Sequence, residues 1–185
     1  MDRRILVGKE KYDLVHKILI EVALNTLSAF PLQVVTLNKI AKESGYSRTT
    51  VYEHFHSSFT ALLIEIFVYL QKERIKFYSS YYTEDNKQNI ISMFKRFTDF
   101  MMNDYLLWTN LKAARILINE NKKLSEFFLF KEFRIQAELC DVNEKQISEI
   151  ISNFYELEDL MIKENEKDFK SYCDTFNKKI KKILN

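Results

Sequence analysis

The chain is predicted to be all-α, with a small three-helix head joined through one long helix to a larger helical body. Two observations carry that prediction. Its 185 residues include only two glycines and one proline. Average usage is roughly 7% and 5%, so there are too few breakers here for a many-turned β architecture. Apolar residues also recur at three- and four-residue steps along nearly the whole chain, the period of helices with one buried face. A balance of 46% hydrophobic and 29% charged residues belongs to a globular chain. No apolar run approaches the ~18 residues a membrane span needs, and the N-terminal MDRRILVGKEKYD lacks a signal-peptide core. The expectation is a cytoplasmic protein with no membrane contact.

The elements follow in order. Val15, Ile18, Leu19, Val22, Ala23, Thr26 and Leu27 form the stripe of a first helix over 9–29, ended by Pro31. Residues 36–55 then read TLNKIAKESGYSRTTVYEHF. Thr36 caps a short helix that turns Leu37, Ile40 and Ala41 inward, and Gly45 breaks it. Ser47 caps a second short helix, 47–55, with Val51 and Phe55 inward and Arg48, Thr49, Tyr52 and His54 outward. Two short helices joined by a tight glycine turn have the layout of a helix-turn-helix, whose second helix enters the DNA major groove. The head is taken as residues 1–56 and the body as 57–185.

In the body, Phe59, Leu62, Leu63, Ile66, Phe67 and Leu70, followed by Phe77, Tyr78, Tyr81 and Tyr82, predict one connecting helix over about 58–81. Ile90, Phe94, Phe97 and Met101 mark the next, with a break near Asn103-Asp104. Leu107, Trp108, Leu111, Ala114, Leu117 and Ile118 mark another, with a second break at Asn119–Lys123. Phe127, Phe128, Phe130, Phe133, Ile135 and Leu139 give an aromatic helix. Two last helices are expected over about 143–162 and 165–183. Their wide apolar faces suit either a cover for the core or a self-complementary four-helix interface between two copies, and the homodimer is the favoured expectation.

The stretch IAKESGYSRTTVYEHF resembles the signature of TetR/AcrR-type transcriptional repressors: Ile-Ala, a glycine shortly after, a Ser/Thr-rich run, then Tyr-x-His-Phe. The resemblance extends from about residue 10 to about residue 67, roughly a third of the chain. It implies an all-helical homodimer whose N-terminal head binds a double-stranded DNA operator and whose C-terminal domain binds a small-molecule inducer. In one departure, the family usually places a Lys three residues after the motif's Phe; here Ser58 stands there, able to cap the next helix but without a charge for a phosphate.

On this reading the DNA-binding residues are Thr36, Ser47, Arg48, Thr49, Thr50, Tyr52, His54 and Ser58. Arg48, near the start of the recognition helix, can make a bidentate contact to guanine O6 and N7, worth about 1–3 kcal/mol of discrimination. Thr49 suits a thymine methyl or a base edge, and Thr36 and Thr50 suit phosphates. Tyr52 and His54 match motif positions that lie against backbone or bases in the family. The first 60 residues hold eight Lys/Arg against six Asp/Glu, which accounts for the whole net charge of +2. An excess that small does not identify a nucleic-acid binder without the motif.

Phe94, Phe97, Met101, Trp108, Leu111 and Phe128 are the candidate walls of a ligand site, and ordinary core is the competing reading. Arg115 is read as a surface residue that would favour an anionic ligand if it turned inward. Cys140 and Cys173 are read as reduced thiols. His54 and His56 lack a ligand cluster, so no metal site is expected, and no cofactor is implied. With no Gly-rich phosphate loop, GxSxG, HExxH or nucleophile–base pair, an enzyme is not expected. Two alternatives stay open: a TetR-like protein that has lost DNA binding and acts through protein partners, and a helical ligand carrier or enzyme.

Overall fold

The computed structural model describes residues 3–119, 128–163 and 166–185. Among them run nine α-helices and one 3₁₀ turn, without a strand. Helix α1 spans Arg3–Ala29, starting earlier than its apolar stripe. Gly8 lies inside it at an ordinary helical φ, since Gly45 alone of the glycines has positive φ. A mid-helix glycine costs roughly 0.5–1 kcal/mol, too little to end so long a helix. A 3₁₀ turn, Leu32–Val34, follows Pro31 in what the sequence marks only as a connection.

Helices α2 (Leu37–Ser44) and α3 (Arg48–His54) come next, and then α4 (Phe59–Ser79). The head core is built where Leu19, Ala23 and Leu27 of α1 meet Leu37 and Ile40 of α2, Val51 and Phe55 around α3, and Leu62 and Ile66 of α4, all buried. The connecting helix α4 is therefore packed into the head at its N-terminal end. Farther along, Phe77 and Tyr81 are exposed, edge to face with centroids 5.2 Å apart, and the Arg96 guanidinium lies 3.7 Å from the Tyr81 ring centroid.

The body comprises α5 (Asn86–Asn103), α6 (Tyr105–Asn119), α7 (Phe128–Glu138), α8 (Glu144–Lys163) and α9 (Glu166–Leu184). Asp85 caps α5, accepting from the Gln88 amide at 3.0 Å. Asp104 sits in the predicted break and accepts from the Leu107 amide at 3.1 Å. Buried aromatics interlock at the centre: Phe97 meets Trp108 at 4.9 Å and Phe154 at 5.3 Å, and Phe94 meets Phe133 at 5.3 Å and Phe176 at 5.6 Å. The apolar stripes of α8 (Ile147, Ile150, Phe154, Leu157) and α9 (Phe169, Cys173, Phe176, Ile180) are buried within the chain. They cover the core, as one of the two sequence readings has it.

Some stripe positions face the other way. Leu117, Ile135 and Leu139 fall on the predicted apolar stripes, yet they are 55%, 45% and 62% exposed. On α7 the inward face is Phe133 with Gln136 and Ala137, spaced i, i+3, i+4. The side chains of Tyr78, Phe127, Phe128, Phe130 and Met161, counted in the predicted stripes, lie outside the described residues.

Polar side chains also join the elements. Asn110 on α6 is buried; its Nδ2 donates to the carbonyls of Leu27 (2.7 Å) and Phe30 (2.8 Å), and its Oδ1 accepts from the Leu32 amide (2.9 Å). One side chain thus satisfies the backbone where α1 ends and the 3₁₀ turn begins. Beside it, Ser28 Oγ lies 2.7 Å from Asp104 Oδ2. Between α6 and α8, Arg115 holds Glu158 through two nitrogens, at 2.6 and 3.3 Å, and Lys112 Nζ lies 2.9 Å from Asp159. Arg115 is thus turned inward and committed to a carboxylate, contrary to its reading as a surface residue.

Candidate nucleic-acid interface

The helix-turn-helix is built from local signals. Thr36 Oγ1 accepts from the Lys39 amide at 3.2 Å and so starts α2. Gly45 ends it at φ 72°, a left-handed conformation that costs a residue with a Cβ about 1–2 kcal/mol. Ser47 Oγ accepts from the Thr50 amide at 3.1 Å and starts α3. The Thr50 hydroxyl is 2.9 Å from Ser47 Oγ, so it is already engaged and half-buried. Arg48 and Thr49 are exposed. Tyr52 is half-buried; its hydroxyl donates to Asn38 Oδ1 at 3.2 Å, tying α3 to α2.

An open surface hollow of about 520 Å³ borders these elements, lined chiefly by Asn38, Lys39, Lys42, Glu43, Tyr46 and Arg48. No cap or period in the sequence marks Asn38, Lys42 or Tyr46 as part of this surface. Asn38 and Lys42 are exposed on α2 and Tyr46 is half-buried in the turn, and their place beside Arg48 makes them candidates for the same surface. The Lys39 ammonium lies 3.3 Å above the Phe30 ring centroid, a cation–π contact that engages this charge within the protein.

His54 is a correction. It is 7% exposed and faces inward, not outward as its place in the motif suggests. The sequence carried the signal: Val51, His54 and Phe55 are spaced i, i+3, i+4, the rhythm of a single buried face. The His54 ring stacks on Tyr12 with centroids 4.1 Å apart, and its Nδ1 lies 3.2 Å from His16 Nδ1. Burial, and then the neighbouring His16, push the His54 imidazole below its ordinary pKa, against the pull of Glu53.

Ser58 lies past the C-terminal end of α3 and caps α4, its Oγ accepting from the Ala61 amide at 3.2 Å. The turn before it is tight: His56 and Ser57 have φ of 50° and 55°.

In the body, Phe94, Phe97, Met101, Trp108 and Leu111 are all buried among one another; the Phe128 side chain lies outside the described residues. A small cleft of about 70 Å³ between α8 and α9 is lined by Asn153, Leu157, Leu160, Tyr172 and Phe176 with Lys179, and none of the six proposed walls borders it. That volume is well below the roughly 300–1,000 Å³ of ligand pockets. Both cysteines are free thiols, and burial pushes Cys173 up to about 12, which leaves it unreactive at neutral pH.

A three-helix head with a capped, outward-facing second motif helix, set on an all-α body, defines a helix-turn-helix protein. The family profile "Bacterial regulatory proteins, tetR family" matches residues 19–66. Over these residues the head is similar to that family. The chain is also similar in fold to a TetR transcriptional regulator from Rhodococcus sp. RHA1, with a TM-score of 0.55 over 91% of this chain and 97% of that one, at 16% identity. No curated protein matches it. Among the described residues no helix is long and apolar enough to cross a membrane.

Proposed function

We propose that this DNA-binding transcription regulator acts as a homodimeric repressor, in the cytoplasm, on a palindromic operator from which a small ligand releases it. The observation that supports the reading most directly is the pairing of Arg48 and Thr49, exposed on the Ser47-capped α3, with the basic hollow of Lys42 and Tyr46 on the neighbouring helix and turn. In this reading Arg48 and Thr49 read bases, and Thr36, Ser47, Thr50 and Tyr52 orient the head on the phosphates. Ser58 acts as the cap of α4.

The head is residues 1–56 and the body 57–185, with α4 shared between them. The heads of two copies would sit about one DNA turn (roughly 34–36 Å) apart or somewhat more. The inducer is assigned to the aromatic body around Phe94, Phe97, Met101, Trp108, Leu111 and Phe128. Because the first five are packed together, a ligand must part them, and it weakens DNA binding by preferring the parted form.

Selection of duplexes from a random pool by the purified protein tests the reading. A recovered palindrome is expected, with Arg48→Ala weakening its binding by about 1–3 kcal/mol and relaxing preference at one position per half-site. Failure to enrich any sequence would overturn it in favour of a protein that has lost DNA binding.

A further inference from the structure

Where α1, α3 and α4 meet lies a cluster that shares no residue with the hollow. Tyr12 and His16 come from α1, His54 and Glu53 from α3, and Glu65 from α4. The His16 and His54 Nδ1 atoms are 3.2 Å apart. Tyr12 stacks on the outer face of His54, Phe55 lies 5.2 Å from the His16 ring, and Glu65 Oε2 is 3.9 Å from His16 Nε2.

A contact between two imidazole nitrogens needs one N–H and one lone pair. Two neutral rings satisfy it, and so does one neutral ring beside one imidazolium. Two imidazolium rings cannot: both Nδ1 atoms then carry hydrogens that point at each other, and two like charges face across 5.4 Å between centroids. A charge on His16 faces Glu65, whereas a charge on His54 is held beneath Tyr12 in a site 7% exposed. The fully protonated pair must therefore separate. His54 is the last residue of a seven-residue helix, so separation moves the recognition helix itself.

We propose that His16 is a positioning residue for the recognition helix, and that the His16–His54 pair is a proton-operated latch that holds α3 in its DNA-reading pose and releases it in mild acid. Histidine is the side chain whose ordinary titration falls in this range. The inference rests on the DNA-binding reading for its consequence, and on the histidine geometry alone for its existence.

The test compares wild type with His16→Gln, whose amide donates to His54 Nδ1 without titrating. Affinity for a duplex selected at about pH 8 is followed down to about pH 5.5. The expected result is that the wild-type Kd rises about tenfold relative to that of His16→Gln over this range, one unit's worth of proton coupling. A Kd ratio constant within about twofold would overturn the latch.

Amide exchange in α3, corrected for intrinsic rates, gives a readout independent of DNA. Faster exchange below about pH 6 in wild type but not in His16→Gln upholds the latch. Equal exchange in both refutes it. A protein that selects no duplex at any pH ends the regulator reading, and the latch is then judged on exchange alone.

Discussion

Glu158 is 1% exposed, and burial pushes its carboxyl above the ordinary range despite Arg115 and Lys112. Its folded pKa being the higher, the folded state holds more protons above that ordinary range, so this group's contribution to stability is lost as pH rises through the folded pKa. Arg115→Met strands the carboxylate and is expected to destabilise by about 3–5 kcal/mol, whereas Arg115→Met with Glu158→Leu should recover most of that. Urea unfolding of both variants checks it. His54 has the opposite sign: its pKa is lowered on folding, so its contribution is full above about 6.5 and is lost as pH falls through the folded value. The difference between these two sites and the rest is one of legibility. Thr36, Gly45 and Ser47 can be read from sequence because caps act on neighbours three residues away. Arg115 with Glu158, and His16 with His54, are pairs set 43 and 38 residues apart, and no local pattern marks them.

At the scale of elements, helix ends were more legible than helix faces. The break at Asp104 and the start of α3 fall where side-chain chemistry puts them. On α6 and α7, Leu117, Ile135 and Leu139 fit a helical period yet face solvent, because a period gives a rhythm and the packing partners choose its phase. Asn110 falls inside the stripe of α6, three residues after Leu107 and four before Ala114, so the rhythm implied a buried amide, though not its partners. The sharpest element-level prediction concerns the turn. Gly45→Ala forces a Cβ into the left-handed region and should lower thermal stability by about 1–2 kcal/mol, measured by calorimetry, although no atom crowds the added methyl.

Across the whole molecule, the head and body share α4 and are joined by Asn110. Asn110→Ala leaves the Leu27 and Phe30 carbonyls and the Leu32 amide without that partner, at a cost on the order of 3 kcal/mol. Trp108, the sole tryptophan, reports on the body, whereas circular dichroism reports on all the helices. The two unfolding curves should coincide in wild type and separate in Asn110→Ala as the parts uncouple. The Lys39–Phe30 contact has a consequence in counterions. If Lys39 stays over the ring, each head brings two unengaged cations of the hollow, Arg48 and Lys42, into the DNA's counterion atmosphere, and two heads displace about four cations instead of six. The logarithm of the binding constant would then fall with the logarithm of salt at a slope of about −3.6 instead of about −5.4. Phe30→Leu, which frees the ammonium, should steepen the slope. With phenylalanine in place, DNA affinity would vary less with cellular salt than that of a head with the ammonium free.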